Sequence, residues 1–158
     1  MPTHAEKRFL PFTQEQLFDL VADIEKYPEF LPWCIGIRVK QREGDIIRAD
    51  LMVGFKMVRE KFTSEVTLSA PDRVDVKYLD GPFRYLNNHW IFEPKDNGCE
   101  IDFYIDFEFR SLLLRKLIGP LFNEAVRRMV GAFEIRARAL YGGANPDGAS
   151  SLGPAGQS

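Results

Sequence analysis

Long hydrophobic runs are missing from this 158-residue sequence. No stretch approaches the ~18 consecutive apolar residues that a membrane-spanning helix requires, and the N-terminal segment lacks the apolar core of a signal peptide. These absences argue against a protein that spans a membrane with helices and predict a cytoplasmic location. Any contact with a membrane would then be peripheral.

Residues that hold metals or carry out nucleophilic catalysis are also scarce. The two cysteines, Cys34 and Cys99, fit neither a CxxC nor a metal-ligand spacing, and the two histidines, His4 and His89, are isolated. We expect reduced thiols and solvent-facing histidines. The sequence has no Gly-rich phosphate loop, nucleophile elbow or HExxH motif. It therefore predicts no metal site, no required cofactor and no catalytic residue.

Charge is nearly balanced overall but unevenly spread. The formal net charge of −2 argues against a surface built for nucleic acid, and we predict no DNA partner. Residues 110–141 nevertheless carry seven basic and two acidic side chains. The length predicts one folded domain over residues 1–141. Residues 142–158 hold five Gly, two Pro and three Ser, and this composition predicts a disordered tail.

Alternation of apolar and polar residues dominates the middle of the chain. A first strand is predicted at residues 4–10, and six more follow between residues 35 and 109. The clearest runs from Cys99 to Phe109, where every second residue is apolar, and Asp96-Asn97-Gly98 before it is a hairpin signal. Strands with one apolar face predict a seven-stranded antiparallel sheet that is covered on one side.

Helical signals flank the strands. Thr13, with Gln16 three residues on, predicts a capped helix to about Asp23. The prolines at 28 and 32 then predict one helical turn and a rigid aromatic bend over residues 25–34. Near the other end, apolar residues recur every three or four positions from Leu112 to Tyr141, which predicts a long amphipathic helix.

Gly119-Pro120 interrupts the long helical pattern. Because proline is tolerated only in a first turn or at a kink, we predict a short amphipathic segment over residues 111–118 and a main helix that begins at Pro120. A curved sheet wrapped around that helix would enclose space. The break is open to two interpretations, a hinge over a cavity mouth or a plain kink.

The 13 phenylalanines and two tryptophans are equally consistent with a packed core and with an apolar pocket. Glu60 falls in phase with the inward residues Val58, Phe62 and Val66, so it is a candidate polar contact for a ligand or a carboxylate at a wet rim. The hairpin tip at residues 54–59 mixes apolar and basic residues. It suits insertion into an anionic lipid surface, or packing against the aromatic bend.

Several motifs together resemble one known family. They are Val21 to Cys34 (VADIEKYPEFLPWC), Phe62-Thr63-Ser64, Gly81-Pro82-Phe83, Trp90-Ile91-Phe92, Phe107-Glu108-Phe109 and Ala132-Phe133-Glu134. This set closely resembles the coenzyme Q-binding protein family of the START-like, polyketide cyclase/dehydrase superfamily. The similarity covers nearly all of residues 3–141, and the first motif is the most specific.

The resemblance implies an α+β helix-grip fold of the START or Bet v 1-like kind. In it a seven-stranded curved antiparallel sheet grips a long C-terminal helix, with short helices after the first strand. It also implies a tunnel that binds ubiquinone, without catalysis, in a carrier or chaperone role supporting respiration. One branch of the family is described instead as a ribosome association toxin that binds the large ribosomal subunit. The superfamily also contains aromatase/cyclases, which are the enzyme alternative.

Under the lipid-binding hypothesis, inward residues of the sheet and the main helix would line the tunnel, with Glu60 as a possible polar contact. The predicted lining residues are Trp33, Val53, Phe55, Phe62, Trp90, Phe92, Phe103, Ile105, Phe107, Leu121, Ala125, Met129 and Phe133. Basic side chains would face the inner membrane or a macromolecular partner. The predicted surface consists of Lys56, Arg59, Arg115, Lys116, Arg127 and Arg128.

Overall fold

A computed structural model describes residues 3–55 and 57–142. These residues form seven strands and three α-helices, in the order β1, α1, β2 to β7, α2, α3. The strands are β1 (Thr3–Leu10), β2 (Cys34–Glu43), β3 (Ile46–Phe55), β4 (Val58–Ser69), β5 (Arg73–Asp80), β6 (Phe83–Lys95) and β7 (Gly98–Phe109). The helices are α1 (Gln14–Ala22), α2 (Leu112–Ile118) and α3 (Phe122–Tyr141). The predicted tail from residue 143 onward lies outside the described residues.

All seven strands belong to one antiparallel sheet with the order β1-β7-β6-β5-β4-β3-β2. Consecutive strands pair as hairpins, while β1 pairs with the last strand, His4 opposite Ile105. One face of the sheet carries the buried apolar side chains, and α1 and α3 lie against it. The predicted helix-grip α+β architecture is therefore confirmed. Within the described residues, no helix is long and apolar enough to cross a membrane.

Helix α1 begins as the sequence predicts. The Thr13 hydroxyl accepts a hydrogen bond from the Gln16 backbone N–H, and the Gln16 side chain accepts one from the Thr13 N–H, both at 3.0 Å. This capping box satisfies two N–H groups that the helix cannot pair internally. Its buried face packs on the sheet, where the rings of Phe18 and Phe92 meet edge to face at 6.0 Å.

The start of the main helix differs from the prediction by two residues. Pro120 lies within a separate 3-10 turn, Gly119–Leu121, and α3 begins at Phe122. Leu121 has φ −104° and ψ −3°, which bends the chain between α2 and α3. The missing N–H of Pro120 explains the break, because a continuous helix would need that group as a donor.

Two predicted orientations are wrong. Strict alternation puts Ile35 on the same face as Ile37 and Val39, but a register shift between Cys34 and Gly36 interrupts the alternation and leaves Ile35 49% exposed. His4 was expected in solvent. It lies instead on the inner side of β1, where its side chain is only 12% exposed and its Nε2 is 2.9 Å from a carboxylate oxygen of Glu6.

Candidate ligand-binding site

Two adjoining cavities lie between the concave face of the sheet and α3. The inner cavity has a volume of about 190 Å³ and reaches from the Ile24–Glu29 turn to Trp90 and Phe133. The outer cavity has a volume of about 240 Å³ and reaches to the junction of α2 and α3. They share part of their walls, and the two together are called the tunnel below. The shared residues are Trp33, Leu51, Val53, Phe62, Leu86, Ile105 and Met129.

Strand β4 runs along the whole tunnel. Its alternate side chains Val58 and Glu60 line the outer cavity, Phe62 lines both, and Ser64 and Val66 line the inner one. This follows directly from the two-residue period of a strand. At ~3.3 Å per residue, these five positions extend over about 26 Å. The tunnel is therefore long compared with its width and suits an elongated ligand.

Helix α3 closes the opposite wall with side chains that leave room. Ala125 lines the outer cavity and Met129 lines both cavities, between the larger residues Leu121 and Phe133. These positions lie four residues apart, with Leu121 in the turn just before α3, and so fall along one side of the helix. A small side chain such as alanine leaves space, and methionine adapts its shape to what lies beside it.

Within residues 3–55 and 57–142, no charged side chain lines the inner cavity. Its polar groups are neutral, and several of them donate to backbone carbonyls: the Tyr27 hydroxyl to that of Val21, the Asn88 amide to that of Tyr104 at 2.8 Å, and the Cys34 thiol to that of Gly36 at 3.9 Å. Burial raises the pKa of the Tyr27 phenol, and it raises the pKa of the Cys34 thiol to about 11. Both groups therefore stay protonated near neutral pH.

Among the described residues, Glu60 is the one charged residue that lines the outer cavity. Its side chain is partly exposed on β4, beside the mouth that Gly54 and Val58 form with Ile118 of α2. The structure thus brings Glu60 to the tunnel, at the outer end and away from the uncharged inner cavity. The Gly54 backbone N–H donates to the Trp33 carbonyl at 2.9 Å, so the aromatic bend is tied to the β3–β4 hairpin.

Phe133 ties the aromatic bend to the helix. Its ring meets the rings of Tyr27, Phe30 and Trp90 at centroid distances of 5.4, 5.1 and 4.8 Å. An Arg136 guanidinium nitrogen is 2.8 Å from a Glu29 carboxylate oxygen, and this bond lowers the pKa of Glu29. The bend is thereby held against α3 and closes the inner cavity on that side.

Most of the predicted lining residues meet on the tunnel walls, together with Glu60. They are Trp33, Val53, Phe62, Trp90, Ile105, Phe107, Leu121, Ala125, Met129 and Phe133. Phe92 and Phe103 do not line either cavity, which corrects the prediction. Phe92 is covered by Phe18 of α1, and the Phe103 ring packs 4.6 Å from that of Trp90. The Phe55 side chain lies outside the described part of the structure.

Sequence reasoning missed several wall residues, among them Leu51, Leu86, Ser64 and Asn88. Ser64 falls in phase with Phe62 and Val66, so its inward orientation was available from the strand period. A polar residue in an inward position is a more informative signal than another apolar one.

The basic residues predicted to face a membrane or a partner are exposed only in part. Arg59, Lys116, Arg127 and Arg128 are exposed. Arg115 is half-buried: it donates to the Phe109 carbonyl at 2.7 Å and to a Glu108 carboxylate oxygen at 3.3 Å, and so fastens α2 to β7. Lys56 lies outside the described residues.

Large apolar side chains are exposed on the β3–β4 hairpin and on α2, the two elements that contribute Val58 and Ile118 to the outer cavity. Met57, next to Val58 in the hairpin tip, is 97% exposed, and Leu112 and Leu113 of α2 are 67% and 66% exposed. Leu117, next to Ile118, is 49% exposed. Lys116 and Arg59 lie near these apolar residues in the chain and are also exposed. The exposed apolar and basic residues of the hairpin and α2 are together called the rim below.

Comparison with known proteins gives consistent matches over this fold. A model of the family described as polyketide cyclase / dehydrase and lipid transport matches residues 10–134. The ribosome association toxin RatA of Rickettsia prowazekii is 38% identical over 135 residues, which are 83% of this chain and 92% of that protein.

A second relative carries a different name. The mitochondrial coenzyme Q-binding protein COQ10 homolog B of Xenopus laevis is 38% identical over 144 residues, which are 88% of this chain but only 59% of that protein. Among solved structures, a START superfamily protein from Mycobacterium smegmatis matches with a TM-score of 0.76 and 18% identity. The match covers 87% of this chain and 98% of that one, and at this identity it supports the fold alone.

Proposed function

The chain belongs to the polyketide cyclase/dehydrase and lipid transport family, and within it we propose that the protein binds ubiquinone or a similar isoprenoid lipid without catalysis. It would act as a carrier or chaperone that supports respiratory electron transport. The observation that carries this proposal is the long apolar tunnel between the sheet and α3. The coenzyme Q-binding name of the Xenopus relative supports the choice of ligand.

The tunnel can extract such a lipid through apolar contact alone. Each CH₂ group that leaves water contributes roughly 0.8 kcal/mol, so several buried isoprene carbons are enough for stable binding. The cavity volumes of about 190 and 240 Å³ together reach the lower part of the ~300–1,000 Å³ typical of small-molecule pockets. A ring with a short isoprenoid segment is a ligand of matching size.

The polar composition of the walls supports binding rather than catalysis. A cyclase needs a positioned acid and base near the reacting carbons. Among the lining residues that the structure describes, Glu60 is the only carboxylate, and none is a histidine. The Tyr27 hydroxyl is already committed to a backbone carbonyl. We therefore propose that the site does not carry out acid–base chemistry.

The rim of the tunnel suits transfer to and from a membrane. Exposed Met57, Leu112 and Leu113 next to basic Arg59 and Lys116 have the composition of surfaces that rest on anionic lipid. We propose that this rim makes peripheral contact with the inner membrane and that the lipid enters between α2 and the β3–β4 hairpin.

Organic extraction of the purified protein, followed by mass spectrometry, tests the function directly. We expect a quinone or related isoprenoid lipid to co-purify in a fixed ratio to protein. Protein stripped of lipid and mixed with quinone-containing vesicles should take the quinone up again, whereas a heat-denatured sample should not. Absence of a co-purifying lipid together with no uptake of added quinone would contradict the proposal.

A second candidate is association with the large ribosomal subunit. It is favoured by the name of the Rickettsia relative and by the exposed Arg127 and Arg128 on α3. If it holds, the protein should co-sediment with large subunits, and binding should weaken steeply with salt because phosphate contacts release counterions. Replacing both arginines with glutamate should abolish co-sedimentation and leave quinone uptake unchanged. A protein that stays in the supernatant at low salt would contradict this candidate.

A further inference from the structure

Ser64 stands out among the residues of the inner cavity. It is 6% exposed, and its hydroxyl oxygen has no hydrogen-bond partner among the described residues. A buried hydroxyl without a partner costs free energy compared with one in water. Because Ser64 faces a cavity, a ligand atom there can form the hydrogen bond that the protein does not provide.

The neighbours of Ser64 leave its hydroxyl accessible to the tunnel. The cross-strand residue on β3 is Ala49, which is too small to cover it, and both line the inner cavity. The cross-strand residue on β5 is Tyr78, whose hydroxyl accepts a hydrogen bond from the Phe83 backbone N–H at 3.0 Å. Neither neighbour therefore supplies the missing partner.

The chemistry of the cavity limits the ligand group that Ser64 can meet. No charged side chain of the described residues lines the inner cavity, so a phosphate or carboxylate buried there would meet no counter-ion from them and would be strongly disfavoured. A neutral oxygen, such as a ring carbonyl or an ether, accepts a hydrogen bond from serine and otherwise tolerates apolar walls. Asn88, two strands away on the same concave face, adds a second neutral polar group.

We propose that Ser64 donates a hydrogen bond to a neutral ring oxygen of the ligand, so that the lipid lies with its head group in the inner cavity and its tail toward α2. This inference rests on the proposed function and adds to it an orientation and a head-group class. Along β4, Phe62, the partly exposed Glu60 and Val58 follow toward the mouth, where the tail leaves between the hairpin and Ile118.

Replacement of Ser64 with alanine tests the contact. The probes are a ubiquinone with a two-unit isoprenoid tail and a hydrocarbon with the same tail on a benzene ring that carries no oxygen. Trp33 and Trp90 line the inner cavity, so binding can be followed by tryptophan fluorescence. We expect S64A to bind the quinone about fivefold more weakly, the effect of one lost hydrogen bond, and to bind the hydrocarbon unchanged.

Ser69→Ala is the matched control, since Ser69 is exposed on the same strand and lines neither cavity. It should leave the affinity for both probes unchanged. S64A should also unfold at the same urea concentration as the parent protein or a higher one, because the hydroxyl it removes is unpartnered. A lower unfolding midpoint would instead assign Ser64 a structural role and overturn the inference.

The remaining outcomes separate the inference from the function on which it rests. If the parent protein binds quinone and S64A binds it equally well, the head-group contact is wrong and lipid binding stands. Equally weaker binding of both probes by S64A would also overturn the contact, because the hydrocarbon has no oxygen that could accept a hydrogen bond from Ser64. If the parent protein binds neither probe, the proposed function itself fails. Oleate, a charged single-chain lipid, should not compete with the quinone, and effective competition would refute the neutral head-group class.

Discussion

Replacing Ala125 with tryptophan is expected to lower the affinity for quinone at least tenfold, a loss of about 1.4 kcal/mol or more. Ala125 faces the outer cavity from α3, where its small side chain leaves space for a ligand. An indole ring at this position would occupy that space and block the path between the mouth and the inner cavity. The affinity is measured by quinone titration of the delipidated protein.

The variant should remain folded, because the added ring enters an existing cavity rather than a packed core. Ala139→Trp provides the matched control: Ala139 is exposed on the same helix and lines neither cavity. It should bind quinone like the parent protein. Unchanged affinity in A125W, with a normal unfolding midpoint, would show that the ligand binds somewhere other than the tunnel.

Strand periodicity made most of the sheet predictable. An antiparallel sheet with one covered face imposes a two-residue alternation, which the segment from Cys99 to Phe109 follows without interruption. The start of a helix is also predictable where side chains cap its free N–H groups, as the Thr13 capping box shows. Alternation does not predict where a bulge will occur. The register shift next to Ile35 turned this residue toward solvent, although strict alternation would place it with Ile37.

The candidate site was less predictable than the sheet, because the period of a strand identifies the inward face but not what covers it. Phe103 and Ile105 share one face of β7, yet the first is packed in the core and the second lines both cavities. The difference depends on where α1, the aromatic bend and α3 come to lie, which are contacts between residues distant in sequence. His4 illustrates the same limit: three of the four inward residues of β1, namely His4, Glu6 and Arg8, are polar, and Arg8 binds Glu134 of α3 at 3.0 Å.

Ser64 and Asn88 carry a sequence signal for the inner cavity. Each is a neutral polar residue on an inward-facing position of a strand whose inward neighbours are apolar. Such a residue either has a partner inside the protein or faces a cavity. A neutral polar residue among apolar residues on the inward face of a strand therefore predicts a polar group in a cavity or an internal hydrogen bond.

Phe133→Ala is expected to reduce the free energy of unfolding by about 3–5 kcal/mol, the range for removing a buried aromatic ring. Phe133 is 3% exposed and packs against three other rings, those of Tyr27, Phe30 and Trp90. Such a loss is large compared with a total stability of roughly 5–15 kcal/mol. Urea unfolding of both proteins measures the difference, and Ile135→Ala, at a position that is 71% exposed, should change it by less than about 0.5 kcal/mol.

The same substitution should loosen one part of the molecule more than the rest. The Ile24–Glu29 turn and Phe30 reach α3 through the Phe133 ring and through the ion pair between Glu29 and Arg136. Exposed ion pairs contribute little on their own, so the ring supplies most of this attachment. Hydrogen exchange should therefore accelerate in the aromatic bend before it does in β6 and β7. Uniform acceleration, or a loss of stability below about 1 kcal/mol, would mean that Phe133 is one core residue among many and does not hold the bend over the inner cavity.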